Sequence, residues 1–189
     1  LDLLSSLGWA ALNQGDRVGG TIVGSNQWIA PKRQDKHLQQ LFQLGLNQQQ
    51  TLTTAGNANH QAWSIQLQRL IPMVHPNSKI IFIGELEPLK HCVSQLQTLS
   101  KHSDILAIQL VDPLEYQLPN NGVLSLTNGE QDLKIDTDDL QIQQKYAEQF
   151  HQAWLSLQQS LNQAKVQTVK IETGDNLIDQ LMQLRLLRR

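Results

Sequence analysis

Two unbroken apolar runs constrain this chain more than any other feature: "KIIFIG" (79–84) and "DILAIQLVD" (104–112). A strand with one wet face alternates apolar and polar residues, so a run without alternation belongs to a strand covered on both faces. Parallel sheets with helices on either side produce that pattern. Helical periodicity surrounds the two runs. Leu3, Leu4, Leu7 and Ala11 share one stripe, and Gly15 suits the left-handed position that ends their helix. Leu38, Leu41 and Phe42 follow Asp35, which reads as an N-cap. Ile65, Arg69, Leu70 and Val74 recur in a stretch from Ala62 that Pro72 bends or ends. Leu89, Cys92, Val93, Leu96 and Leu99 recur over 86–103. Tyr146, Phe150, Ala153, Trp154, Leu157 and Leu161 mark a long helix over 137–166, capped by Thr137 or Asp138. Strands are predicted at 17–24, at "QWIAP" before Lys32, and at 167–173, with a last helix over 175–189. Strand and helix alternate almost throughout, so the expected class is α/β, a doubly wound and mostly parallel sheet in one domain over 1–189.

One segment departs from that alternation. "GVLSLTNGEQDLKID" (122–136) holds two short strand-like runs around Asn128-Gly129, the strongest short-range hairpin signal. The polar, aperiodic 47–60 reads as a loop.

Charge and cysteine usage exclude several classes. The net charge of −2 gives no general attraction to nucleic acid or anionic membrane. No apolar run approaches the roughly 20 residues that span a bilayer. The lone Cys92 rules out an internal disulfide framework and fits a reducing, cytoplasmic setting. The chain opens without Met inside a helical pattern, with no basic start or small-residue cleavage site; it is expected to be a fragment lacking its upstream part.

Few residues carry the signature of a site. Glu85 and Glu87 follow the strand that ends at Gly84, where open parallel sheets bind ligands. Asp112 ends the next apolar run, and capping the turn before Pro113 is its simplest role. His60, His75, His91, His102 and His151 have no metal-like spacing, and Cys92 lies on an apolar stripe. Lys32, Arg33, Lys36 and His37 surround a helix start, where anions are attracted. Neither a nucleophile elbow nor a dinucleotide fingerprint is present in the sequence. Trp9, Trp28, Trp63 and Trp154 read as core or half-core.

Several stretches resemble one family. "WAALNQGDRVGGTIVG", "KRQDKHLQQLF", "DTDDLQIQQKYAEQF" and above all "DILAIQLVDPLEYQLPNNGVLSLTNGE" are similar to the bacterial von Willebrand factor A-like proteins grouped as domain of unknown function fifty-eight. The resemblance implies a six-stranded Rossmann-like sheet with a divalent-cation site at the strand ends. It also implies association with MoxR-type AAA+ ATPases in assembly or chaperone-like work. Complete relatives hold Mg²⁺ through an Asp-x-Ser-x-Ser turn, a Thr and a later Asp. Here the Asp-x-Ser-x-Ser turn is absent, Asn59 and His60 stand near the Thr position, and Gly84-Glu85 replaces the usual Ser-Asp. The implied central first strand is missing as well, so 17–24 and 79–84 are expected to flank an empty slot or to pair directly.

The expected function is therefore a non-enzymatic protein-interaction domain with a MoxR-type partner, a degenerate adhesion-type metal site, no catalytic residue and no cofactor. Glu85, Asp112, Lys32 and Arg33 are the candidate partner contacts. The alternative is a small doubly wound enzyme using Glu85 and Asp112 in a strand-end crevice. A purely structural module is the third possibility, which a crevice without convergent polar groups would favour.

Overall fold

The first helix, α1 (Asp2–Asn13), turns at Gly15, whose φ of +81° suits a residue without Cβ, and leads into a short antiparallel pair, β1 (Val18–Gly20) and β2 (Ile29–Lys32). The computed structural model describes residues 1–51, 60–119, 122–127 and 132–186. After β2 come α2 (Asp35–Thr51), α3 (His60–Leu70), β3 (Ser78–Gly84), α4 (Val93–Ser100) and β4 (Ser103–Val111). A second antiparallel pair, β5 (Val123–Thr127) and β6 (Asp132–Asp136), precedes α5 (Leu140–Gln163), β7 (Gln167–Glu172) and α6 (Leu177–Gln183).

The central sheet is parallel, in the order β3-β4-β7. Its register runs from Ser78 opposite Ser103 to Gly84 opposite Gln109, and from Leu106 opposite Gln167 to Val111 opposite Glu172. One face carries Ile80, Phe82, Ile105 and Ala107, covered by Trp63 and Leu67 of α3, Leu96 of α4, and Leu157 and Leu161 of α5. Trp63 meets Phe82 edge-on, with ring centroids 5.8 Å apart. The other face carries Ile81, Leu106, Ile108 and Ile171, covered by Leu3 and Leu7 of α1 and Leu181 of α6. Helices on both faces of a parallel sheet make this an α/β fold, in accord with the unbroken apolar runs.

The two runs fare differently. β4 is central, and Ile105 through Ile108 are all buried. β3 pairs on one side only among the described residues, so Ile80, Ile81 and Ile83 stay half-exposed. The strand predicted at 17–24 is reduced to three residues, and it pairs with β2 rather than with β3. No described strand lies between β1 and β3, and of the two arrangements expected there, direct pairing is the one not found. The six-stranded sheet implied by the resemblance is, among the described residues, a three-stranded parallel sheet with two separate antiparallel pairs.

Other boundaries shift for local reasons. Residues 47–51, read as loop, continue α2; 52–59 lie outside the described residues, as do Asn128-Gly129 and 187–189. The 86–103 helix begins as a 3₁₀ segment, Glu87–Cys92, with Pro88 in its first turn, and becomes α-helical only at Val93. The cap of α5 is Asp139, whose Oδ1 accepts from Gln141 N–H at 2.8 Å. Thr137 and Asp138, read as its caps, instead tie down the base of the hairpin. Buried Thr137 donates Oγ1–H to the Gly122 carbonyl at 2.6 Å, and Asp138 accepts from Gly122 N–H at 3.3 Å. Ala153 lies on the exposed side of α5, and Trp9 is exposed on α1.

Candidate functional site

At the carboxyl end of β3 the chain turns at Gly84, whose φ of +134° only glycine adopts readily, and Leu86 drops back into the core. The turn is anchored by a side chain that sequence reasoning passed over. Gln109 of β4, 8% exposed, accepts from Leu86 N–H at 2.8 Å and donates to the Leu110 carbonyl at 3.2 Å. Glu85 therefore projects from a fixed turn into solvent, and Glu87 forms an ion pair with Lys90. Their placement is that of solvated turn acids.

Asp112 leaves the sheet later. Gly84 is level with Gln109, so Asp112 emerges about 7 Å further along the strand direction than Glu85. Its carboxylate is already engaged in a capping box: Oδ1 accepts from Leu114 N–H at 2.9 Å, while Glu115 Oε1 accepts from Asp112 N–H at 3.0 Å. Among the described residues no three His, Cys, Asp or Glu side chains come together as metal ligands. One solvated carboxylate and one occupied as a cap do not fit the divalent cation implied by the resemblance, which needs several converging oxygens. Asn59 lies outside the described residues. The topological switch point that places ligands in doubly wound folds also needs strands on both sides of it, and among the described residues β3 is the edge of its sheet.

A concave feature lies just past the end of β4. A groove of about 510 Å³ runs between the segment 113–119 and the first turns of α5, lined by Leu114, Tyr116, Leu118, Gln143, Gln144 and Ala147 among others. Leu140 shares its helix face with Gln143, Gln144 and Ala147 by the i, i+3, i+4, i+7 rule. Leu114, which lines the groove, is 56% exposed, and Leu140, one turn before Gln143 on the same helix face but outside the lining, is 69% exposed. Its wall is held by Tyr146, which donates its hydroxyl to the Leu114 carbonyl at 3.0 Å.

Behind the wall, Lys170 of β7 places Nζ 5.7 Å from the Tyr116 ring centroid, 5.6 Å from Phe150 and 5.9 Å from Trp154. An ammonium facing ring faces at that range is attracted by about 0.5–1 kcal/mol per contact at exposed sites. Glu172 as a hydrogen-bond acceptor first, then burial and the charges of Glu172 and Asp175, pushes the Tyr116 phenol above its ordinary pKa. The 113–119 segment is thereby fixed to both α5 and β7. Phe150 and Trp154, four apart on α5, were readable as a stripe; their convergence with Tyr116 on a β7 lysine was not.

Lys32 and Arg33 lie away from these strand ends. They line a second cleft with Pro31, Gln34 and Arg17, the last a residue the sequence did not single out. Glu85 and Asp112 thus stand at neighbouring strand ends but at different heights, while Lys32 and Arg33 belong to a separate basic cleft.

An α/β sheet with helices on both faces, a turn-bound Asp112 and an apolar-rimmed groove define a class of scaffold rather than a known chemistry. Over residues 2–154 the chain matches the family described as Protein of unknown function DUF58, and it belongs to that family. No curated protein and no solved structure gives a significant match.

Proposed function

We propose that this chain is a non-enzymatic interaction domain of the von Willebrand factor A type, which docks a MoxR-type AAA+ ATPase in assembly or chaperone-like work. The observation that carries the reading is the groove between 113–119 and α5, lined by exposed Leu114, with exposed Leu140 one turn before Gln143 on the same face of α5. Apolar side chains held open on a rigid wall are what a protein partner buries first, and a few such anchors dominate association. The groove's wall sits just past the end of β4, where a sheet positions its recognition loops. The family resemblance supplies the partner class. With Glu85 solvated and Asp112 occupied as a cap, the domain makes this contact through apolar burial rather than through a shared cation.

Calorimetry of the full chain against a MoxR-type ATPase, with and without nucleotide, tests the reading. Saturable binding is expected, weakened about tenfold or more by Leu114→Asp and by Leu140→Asp, since about 1.4 kcal/mol corresponds to each factor of ten. Absence of binding, or binding indifferent to both substitutions, would reject it.

A further inference from the structure

Arg17, Lys32 and Arg33 come from two separate segments and meet at a cleft of about 400 Å³. Val18 lies opposite Lys32 in the antiparallel β1–β2 pair, so the ladder brings the segment that carries Arg17 beside the one that carries Lys32 and Arg33. The approach depends on Gly19. A Cβ there would lie 2.4 Å from the Ile29 carbonyl oxygen and 2.6 Å from the Pro31 nitrogen, so a side chain would push the two segments apart. Like charges gathered at one cleft repel one another. Among the described residues no acidic side chain lines the cleft, and none lies within ion-pairing distance of Arg17, Lys32 or Arg33. Asp16 and Asp35, the nearest acids in sequence, are exposed and outside the lining. A chain of net charge −2 with 15 Lys and Arg in all has gathered three cations without an ion-pairing partner among the described residues.

We propose that this cleft binds a phosphoryl group, independently of the groove beside α5. Two guanidinium groups offer paired N–H donors that match phosphate oxygens, and Lys32 adds a point charge, so a dianion meets more of the site than a single carboxylate does. The volume suits a small phosphate-bearing molecule. The same chemistry is presented by a soluble phosphate ester and by the headgroup of an anionic phospholipid.

The test titrates inorganic phosphate and pyrophosphate into the full chain by calorimetry, alongside flotation with phosphatidic acid vesicles. Saturable binding with pyrophosphate is expected, weakened about tenfold or more by Arg17→Ala and by Arg33→Gln and unchanged by Lys101→Ala, a distant exposed lysine. Because Arg17 and Arg33 are exposed, both variants should fold, which circular dichroism verifies. Pyrophosphate that competes with vesicles assigns a soluble ligand. Vesicle binding that pyrophosphate does not displace, yet the same arginines abolish, assigns a lipid headgroup. Either result upholds the phosphoryl site. Binding of polyglutamate without binding of pyrophosphate or vesicles would overturn it in favour of an acidic peptide, and no saturable binding of any probe would overturn it outright.

Discussion

Gln109 Oε1 lies 2.8 Å from the backbone nitrogen of Leu86, so a buried side chain on β4 closes the turn at the end of β3. Both partners are out of water, and the Leu86 side chain is fully buried. Replacing Gln109 with Leu leaves that N–H without a partner, which costs about 1–3 kcal/mol. Urea denaturation of Gln109→Leu should show the loss. A midpoint equal to that of the parent would mean that the turn relaxes to find another acceptor.

Helices α1 and α2 cross where Gly8 meets Leu38. A Cβ on Gly8 would lie 2.5 Å from Leu38 Cδ1, and Leu38 is itself buried. Gly8→Val should therefore overpack the crossing and destabilise the protein by about 1–3 kcal/mol. Pairing it with Leu38→Ala relieves the clash, so the double variant should be more stable than the sum of the single losses implies. Additive losses would contradict the contact.

Tyr116 gives a pH-dependent prediction. Its folded-state pKa is raised, chiefly by the hydrogen bond to Glu172, so folding favours the neutral phenol. That contribution is fully present below the ordinary tyrosine pKa of about 10 and is lost as the pH rises through the raised folded value. Tyr116→Phe should be less stable than the parent at neutral pH, with the gap closing in strongly alkaline solution. Denaturation midpoints across that range check it; a gap independent of pH would show that the bond does not contribute.

Cys92 is fully buried beneath α4, and burial pushes its thiol above the ordinary range. Reaction needs the thiolate and access to it. A thiol reagent should label Cys92 at the rate of global or sub-global opening, faster in Leu96→Ala, which removes a buried neighbour and costs about 2–5 kcal/mol. Rapid labelling under native conditions would mean that this face of the sheet opens locally.

A last prediction concerns the carboxylates. With Glu85 in solvent and Asp112 holding its cap, millimolar Mg²⁺ or Mn²⁺ should leave the melting temperature unchanged in both the parent and Glu85→Ala. A saturable rise that Glu85→Ala abolishes would restore the cation to the site.

Much of the fold was legible in the sequence. The apolar run of β4 named a strand covered on both faces, and the stripes of α1, α4 and α5 named the faces that cover it. Asn128-Gly129 pointed to the antiparallel pair that flanks it, although those two residues lie outside the described ones. Asp112 was readable as a cap because its partners are only two and three residues away. Misreadings arose where a local signal had a distant competitor. Thr137 and Asp138 look like helix caps until Gly122, 15 and 16 residues earlier, claims both side chains. The "KIIFIG" run looked fully buried, yet among the described residues β3 has a paired strand on one side only.

The sequence by itself determined which segments are strands and helices, which face of each turns inward, and the family, because periodicity records burial along one continuous stretch of chain. Only the tertiary structure decided that Arg17 shares a cleft with Lys32 and Arg33, that Lys170 collects three rings from two segments, and that Leu114 and Gln143 line one groove. Those relationships join residues far apart in the chain. They exist only once strand register and helix packing bring the segments together, and no local pattern encodes that distance.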